Sequence, residues 1–246
     1  MIFFVTGGSR GIGEAIVMEA VRQGHDVGFT YLTSEDLAVN VMNAARQIRS
    51  DVKCRAYQLD VRNSAAVEEV GDRFIEEFGS VDVVVANAAI NKNNLVLSMS
   101  DEEWDDVLRT NLTGTFYVCR QFLSTMLANR FGRFILISSL GHSGVSGQAN
   151  YCASKAGLHG LCTSMAKEYG RKGITSNLVV PGFFDTDMTR ADMSQSNREF
   201  WIKHCPVGRL GKLEEVVHSV MFLASENASF VNGQAIAVTG GLDWAP

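Results

Sequence analysis

A glycine-rich turn near the amino terminus constrains the fold of this chain more than any other feature. Residues 2–5 form a short apolar run with strand character, and Thr-Gly-Gly-Ser-Arg-Gly-Ile-Gly follows at positions 6–13. A stretch of helical character begins at Glu14. Glycine lets the backbone approach a pyrophosphate, and a helix N-terminus offers free N–H groups and the positive end of its dipole. The order strand, turn, helix therefore predicts a dinucleotide-binding unit.

The remaining chain repeats one pattern of strands and helices. Further apolar runs alternate with amphipathic stretches of helical length, which implies βαβ crossovers and a parallel sheet. Several runs are apolar throughout, as expected for strands covered on both faces. The runs lie at residues 27–31, 56–59, 81–86, 134–138, 175–180 and 235–238. We predict an α/β protein whose residues 1–246 form a single domain, a doubly wound parallel sheet with helices on both faces (Rossmann fold).

Tyr151 and Lys155 are the strongest candidates for chemistry. They lie four residues apart in a segment of helical character, so the phenol and the ammonium project from one face of the helix. A phenol titrates near pH ~10, and a nearby cation lowers that pKa toward the range useful for proton transfer. When this spacing is considered alone, the alternative is that Tyr151 and Lys155 are an exposed i,i+4 pair on a helix surface without a catalytic role. Together with a dinucleotide site, the pair predicts acid–base catalysis.

The second strand indicates which dinucleotide is bound. An NAD site usually has an acidic residue at the end of this strand for the ribose 2′-hydroxyl, whereas here the strand runs into Leu-Thr-Ser at positions 32–34. Arg10 lies inside the glycine turn, and a guanidinium can bind a 2′-phosphate. We therefore predict NADP(H). In the alternative, Glu35 reaches the ribose and Arg10 faces solvent.

Composition and charge exclude several classes of protein. No segment has the apolar length of a membrane-spanning helix and no signal peptide is recognised, so we expect a cytoplasmic protein. The five cysteines are odd in number and lack metal-ligand spacing, and the five histidines show none either. We therefore expect reduced thiols and no metal site. A net charge of −5 argues against general nucleic-acid binding.

Motifs along the whole chain identify a family resemblance. Besides residues 6–13, they are Asp60-Val61, Asn87-Ala88-Ala89, Asn111-Leu112, Ser138-Ser139, Gln148-Ala149-Asn150-Tyr151 with Lys155, Pro181-Gly182 and Gly233-Gln234. In this order they resemble the short-chain dehydrogenases/reductases, and within that family the β-ketoacyl-acyl-carrier-protein (3-oxoacyl-acyl-carrier-protein) reductases.

The resemblance implies a catalytic set of four residues. Tyr151 would protonate the carbonyl oxygen of the substrate, and Lys155 would lower the pKa of the phenol and bind the nicotinamide ribose. Asn111 would anchor a water that links Lys155 to solvent. A serine at the end of the fifth strand would donate a hydrogen bond to the carbonyl oxygen.

The resemblance also implies the residues that hold NADP(H). Asp60 and Val61 would flank the adenine, Asn87 and Ala88 would border the ribose, and the segment from Pro181 to Thr186 would hold the carboxamide. The predicted cofactor contacts are Gly7, Ser9, Arg10, Gly11, Ile12, Gly13, Ser34, Asp60, Val61, Asn87, Ala88, Tyr151, Lys155, Pro181, Gly182, Phe184 and Thr186.

Two local departures from the family pattern affect the site. Counting back thirteen residues from Tyr151 selects Ser138 as the catalytic serine, whereas aligning the strand from Arg133 selects Ser139. We favour Ser139 because a one-residue slip of a strand turns every side chain to the opposite face. The family pattern Asn-Asn-Ala-Gly is replaced here by Ala-Asn-Ala-Ala at positions 86–89, which leaves the local backbone in question.

The resemblance also suggests a substrate and partners. Residues 183–206 would form a lid over the active site. Acyl carrier protein is acidic, and it would dock on cations drawn from Arg130, Arg133, Arg171 and Lys172, with Arg130 and Lys172 as the main candidates. A homotetramer is expected. The alternatives are a reductase or alcohol dehydrogenase for a free small-molecule ketone in secondary metabolism, and a non-catalytic NADP-binding protein.

Overall fold

Seven parallel strands form a single sheet in the computed structural model, which describes residues 1–184 and 194–243. The strand order is β3-β2-β1-β4-β5-β6-β7, and each neighbouring pair is parallel. The strands are β1 (Ile2–Val5), β2 (Asp26–Tyr31), β3 (Cys54–Gln58), β4 (Val83–Ala86), β5 (Gly132–Ile137), β6 (Ile174–Pro181) and β7 (Ala235–Val238). The predicted doubly wound parallel sheet is confirmed.

Helices cover both faces of this sheet. The described α-helices are α1 (Gly11–Arg22), α2 (Glu35–Ile48), α3 (Ser64–Phe78), α4 (Asp101–Leu108), α5 (Gly114–Asn129), α6 (Ala149–Tyr169), α7 (Gln195–His204) and α8 (Leu213–Ala224). One apolar cluster joins one face of the sheet to α1, α2 and α8, and a second joins the other face to α3, α5 and α6. None of the helices in the described part is long and apolar enough to cross a membrane.

The sheet topology creates the crevice that holds the candidate site. Because β1 pairs with β2 on one side and β4 on the other, the connections run in opposite directions from this point of the sheet. Ligands of doubly wound sheets bind at such a switch point, outside the carboxyl ends of the strands. The glycine turn follows β1 at this edge, and the ends of β4, β5 and β6 lie along the same edge.

Candidate active site

The glycine turn has the geometry of a phosphate cradle. Gly7 and Gly11 have φ of 65° and 61°, a left-handed conformation that favours glycine. A β-carbon at Gly11 would meet no described atom within 4 Å, so the turn borders open space. A β-carbon at Gly13 would lie 2.1 Å from the Gly7 carbonyl oxygen. Gly13 therefore allows α1 to begin directly behind the turn, where its first N–H groups face the crevice.

Thr6 and Asn87 join the glycine turn to the end of β4. The Thr6 hydroxyl oxygen accepts hydrogen bonds from the backbone N–H groups of Asn87 (2.9 Å) and Ala88 (3.0 Å). The Asn87 amide donates to the carbonyl oxygens of Thr6 and Gly7, each at 3.0 Å. Among the described residues only Arg130 is a non-glycine with positive φ, so Ala89 occupies its position without strain of that kind. The missing glycine of the family pattern therefore leaves this turn intact.

A cleft of about 1290 Å³ runs from the glycine turn to α7. Arg10, Thr33 and Ser34 line one end, whereas Glu35 is absent from its wall. Of the predicted cofactor contacts, Gly13 lies behind the wall and Thr186 lies outside the described residues, as do residues 185–193 of the predicted lid. The other contacts all line the cleft: Gly7, Ser9, Arg10, Gly11, Ile12, Ser34, Asp60, Val61, Asn87, Ala88, Tyr151, Lys155, Pro181, Gly182 and Phe184.

The open left-handed glycines and the exposed Arg10 fit a phosphorylated dinucleotide. Arg10 is the N-cap residue of α1, and it is exposed and lines the cleft, so the guanidinium is accessible to a ligand there. Asp60, which is predicted to flank the adenine, pairs with Arg62, and this holds the pKa of the Asp60 carboxyl below its ordinary value. Both residues line the cleft.

Tyr151, Ser139 and Lys155 meet at the carboxyl end of β5. The Ser139 hydroxyl lies beside the phenol of Tyr151, and its hydrogen bonding lowers the pKa of that phenol. The Ser139 oxygen in turn accepts the N–H of Gly141 at 3.1 Å. The Lys155 ammonium donates to the Ile137 carbonyl oxygen at 2.8 Å and lies 5.6 Å from the centre of the Tyr151 ring. Phenol, hydroxyl and ammonium thus share one end of the cleft.

The two neighbouring serines point in different directions. Ser138 is buried, and its hydroxyl donates to the backbone carbonyl of Lys155 at 3.2 Å. Ser138 therefore ties β5 to α6. The Ser139 hydroxyl is the one beside the phenol, as the strand-register argument anticipates.

The pKa of Tyr151 departs from the sequence-based expectation. Burial raises the pKa of the phenol, and the hydrogen bond from Ser139 offsets this only in part. Lys155 does not contribute the expected lowering, and its ammonium is hydrogen-bonded to the carbonyl of Ile137. At neutral pH the phenol keeps its proton, which is the state that a general acid requires.

The buried ammonium of Lys155 makes stability depend on pH. Burial lowers the pKa of Lys155 to about 8 in the folded protein, against 10.5 ordinarily. Between these values the unfolded chain binds more protons, so the free energy of unfolding rises with pH. We expect the nucleotide-free wild type to gain up to roughly 3 kcal/mol relative to Lys155→Met between pH 8 and pH 10.5, since one pKa unit is about 1.36 kcal/mol. Urea unfolding across this range measures the difference, and parallel pH profiles would contradict the prediction.

Asn111 lies in a π-helical turn, Arg109–Thr113, between α4 and α5. Its side-chain oxygen Oδ1 accepts the Ile90 N–H at 2.9 Å. Its side-chain nitrogen Nδ2 donates to the Ile90 carbonyl and to the Ser154 hydroxyl, both at 3.0 Å. Both amide hydrogens therefore have protein acceptors, and none remains for a water. A water at this position would have to donate to an oxygen of Asn111, either the side-chain oxygen or the backbone carbonyl oxygen, which also accepts the Thr115 hydroxyl.

Asn150 is a site residue whose positioning role sequence reasoning missed. It is fully buried, and its amide donates to the carbonyls of Lys92 and Glu103, both at 3.0 Å, while its oxygen accepts the Tyr151 N–H at 2.7 Å. It thereby fixes the first turn of α6 against α4 and the loop before it. Its place directly before Tyr151 was the only signal.

Arg133 cannot serve in a docking surface. It is buried, and its guanidinium donates to the carbonyls of Gly132 and Gly173. Arg130, Arg171 and Lys172 are exposed. Arg130 adopts φ of 51°, and its carbonyl approaches Gly173 so closely that a β-carbon there would lie 2.2 Å from it.

Comparisons with known proteins agree with this geometry. The family described as Enoyl-(Acyl carrier protein) reductase matches residues 7–243. The chain is 42% identical over 242 residues to 3-oxoacyl-[acyl-carrier-protein] reductase of Salmonella typhimurium, covering 98% of this chain and 96% of the relative. It is 41% identical over 244 residues to the enzyme of the same name from Escherichia coli, with the same coverage. A crystal structure of levodione reductase superimposes with a TM-score of 0.94 at 30% identity, covering 98% of this chain and 96% of the other.

Proposed function

The chain belongs to the short-chain dehydrogenase/reductase family of oxidoreductases, and we propose that it reduces a 3-oxoacyl thioester on acyl carrier protein with NADPH. The observation that carries the proposal is the placement of the Tyr151 phenol and the Ser139 hydroxyl side by side in the cleft. Two neighbouring hydroxyl groups can both donate hydrogen bonds to a substrate carbonyl oxygen, which gains negative charge during reduction. The relatives at about 40% identity bear the name of the same reaction.

The residues of the cleft would divide the work as follows. The nicotinamide cofactor, when bound, supplies the hydride. Ser139 would donate a hydrogen bond to the substrate oxygen, and Gly141 strengthens this donor because its N–H already polarises the serine oxygen. Tyr151, protonated at neutral pH, would transfer its proton to that oxygen as the C–O bond becomes single. Lys155 lines the same end of the cleft and would bind the nicotinamide ribose.

The two serines give a matched comparison of their roles. We expect Ser139→Ala to lower kcat by about 10²- to 10³-fold, the effect of removing one donor at a developing oxyanion. Ser138→Ala removes one hydrogen bond to α6 and is expected to cost about 1 kcal/mol of stability with kcat little changed. Steady-state kinetics and thermal unfolding of both variants measure this, and a larger loss of kcat in Ser138→Ala would refute the assignment.

Arg10 supports the proposal that NADPH is preferred to NADH. The exposed guanidinium at the cleft can form charge-assisted hydrogen bonds to a 2′-phosphate. We expect Arg10→Ala to lower kcat/KM for NADPH by about tenfold or more, since hydrogen bonds to charged groups contribute about 1.5–3 kcal/mol, and to leave NADH nearly unaffected. Equal loss with both cofactors, or equal use of both by the wild type, would contradict this role.

The candidate docking cations lie at the opposite edge of the sheet from the cleft. Arg130 precedes β5 and Lys172 precedes β6, whereas Tyr151 and Ser139 are near the carboxyl ends of these strands. The six residues of β5 span about 20 Å. The docking proposal therefore requires an assembly in which the cations of one subunit lie near the cleft of another.

A homotetramer is part of the proposed function. Trp104 on α4 and Phe116 on α5 are both 41% exposed, and β7 forms an edge of the sheet. Large exposed apolar side chains and an unpaired edge favour contacts with further copies. Light scattering measures the oligomeric state. A monomer would contradict the homotetramer and also the docking proposal, which requires a neighbouring subunit.

The experiment that tests the function is NADPH consumption with acetoacetyl linked to acyl carrier protein. The same acetoacetyl group on a small thioester and a panel of simple ketones are assayed beside it. We expect the carrier-linked substrate to be turned over most efficiently, with charge reversal at Arg130 and Lys172 raising KM for that substrate alone. Turnover insensitive to charge reversal and to salt would refute docking.

A free ketone is the second candidate substrate. The close superposition on levodione reductase favours it, because that enzyme is named for a small substrate without a carrier. If only free ketones were turned over, the proposed roles of the cleft residues would stand, and a small-molecule ketone would take the place of the carrier-linked thioester as the substrate.

Further features complete the proposal. The five cysteines are free and buried, which supports a cytoplasmic protein with reduced thiols.

We propose that residues 1–246 act as one domain and that residues 183–206 close over the substrate. Trp201 of α7 stacks on Phe183 beside the cleft, with centroids 3.8 Å apart, which places α7 against the start of this segment.

A further inference from the structure

His142 contacts the catalytic serine from behind the wall of the cleft. It lies in the short 3-10 helix Leu140–Ser143 and is not among the residues that line the cleft. Its Nδ1 atom is 2.8 Å from the carbonyl oxygen of Ser139, and its backbone N–H donates to the same oxygen at 3.0 Å. Because a carbonyl oxygen only accepts hydrogen bonds, Nδ1 must carry a proton.

The ring of His142 also rests on the helix that carries the catalytic phenol. It stacks on His159 with centroids 4.6 Å apart and an interplanar angle of 25°. His159 lies one turn after Lys155 on α6. Burial, with a contribution from His142, lowers the pKa of His159, so its ring stays neutral at physiological pH and the stacked pair is free of charge repulsion. His142 thus links the backbone of Ser139 to α6.

The contacts around Ser139 show what this link controls. The serine oxygen accepts the Gly141 N–H, its carbonyl accepts two donors from His142, and its hydroxyl faces Tyr151. We propose that His142 is a positioning residue for carbonyl reduction, which sets the orientation of the Ser139 hydroxyl through the Nδ1 hydrogen bond. Since His142 does not line the cleft, it acts through Ser139. This inference rests on the proposed function.

Two substitutions separate the hydrogen bond from the stacking. His142→Phe keeps a ring against His159 but has no donor, whereas His142→Asn keeps an N–H near the position of Nδ1 without the ring. We expect His142→Phe to lower kcat by about three- to tenfold, the effect of one hydrogen bond, with KM for NADPH unchanged. His142→Asn should recover most of this loss. Unchanged kcat in His142→Phe, or no recovery in His142→Asn, would overturn the proposal.

A double mutant tests whether the effect passes through the serine. In a Ser139→Ala background, His142→Phe should cause no further loss of kcat, because the hydroxyl that it positions is gone. Independent, multiplicative losses would show a general structural role and overturn the proposal. The series is run on whichever carbonyl compound is turned over, so failure of the carrier-linked substrate leaves this test intact.

The phenol gives a readout that needs no substrate. The hydrogen bond from Ser139 lowers the pKa of Tyr151, so a misplaced hydroxyl should raise the pKa of the phenol in His142→Phe but not in His142→Asn. Ultraviolet titration of each protein, minus that of its Tyr151→Phe counterpart, isolates this phenol from the other tyrosines. Identical Tyr151 titrations in wild type and His142→Phe would refute the positioning role.

Discussion

Replacing Tyr151 by Phe is expected to lower kcat for carbonyl reduction by about 10²- to 10⁴-fold, the contribution of a well-placed general acid. The substitution removes one oxygen atom and leaves the ring in place. Its hydroxyl is the group that Ser139 faces, and burial raises the pKa of the phenol, so the proton is available at neutral pH. Single-turnover kinetics at neutral pH measures the chemical step, and the affinity for NADPH should remain within a few-fold of the wild type.

Tyr57→Phe is the matched control for this substitution. Tyr57 is buried in β3 at the other side of the sheet, and its hydroxyl donates to Glu77 at 2.9 Å. Loss of this hydrogen bond should cost about 1 kcal/mol of stability without affecting kcat. Turnover by Tyr151→Phe close to that of the wild type would show that another group supplies the proton.

Replacing Gly13 by Ala is expected to lower kcat/KM for NADPH by about 100-fold, the scale that a displacement of roughly 1 Å can produce. The new β-carbon would lie 2.1 Å from the Gly7 carbonyl oxygen and 2.6 Å from the Asn87 amide nitrogen. The glycine turn must shift away from α1, which breaks the bonds that Asn87 makes to it. Overpacking of this kind also costs typically 1–3 kcal/mol of stability. Cofactor titration and urea unfolding measure the two effects.

Gly160→Ala provides the control on α6. A β-carbon at Gly160 would meet nothing within 4 Å, and the position is helical. Alanine should therefore stabilise the protein by about 0.5–1 kcal/mol and leave cofactor binding unchanged. If Gly13→Ala bound NADPH as tightly as Gly160→Ala does, the close approach of α1 to the turn would not matter for binding.

The fold and the location of the site could be predicted because they depend on short-range patterns. The predicted first strand coincides with β1, and the turn at residues 6–13 falls at the edge where the switch point lies. Alternation of strands and helices determines a parallel sheet, since parallel neighbours need crossovers. Strand limits shifted by one or two residues, as for Gly132–Ile137 against the predicted 134–138, because strand ends depend on pairing with neighbours.

Contacts between distant residues could not be predicted in this way. Arg133 was a candidate for a docking surface, yet the strand that contains it is buried and its guanidinium bonds to backbone carbonyls. Lys155 was expected to lower the pKa of Tyr151, but its ammonium is directed at Ile137, 18 residues away in sequence. Neither outcome is encoded in local spacing.

The sequence by itself determined the βαβ order, the glycine turn after the first strand and the residue types at the candidate site, because glycine geometry and the helical and strand periods act over a few residues. The tertiary structure alone decided which direction the pKa of the Tyr151 phenol moves, where the Ser138 hydroxyl is directed, and what supports Ser139 from behind. These depend on how β5, the 3-10 helix and α6 pack together, and on the burial that this packing imposes.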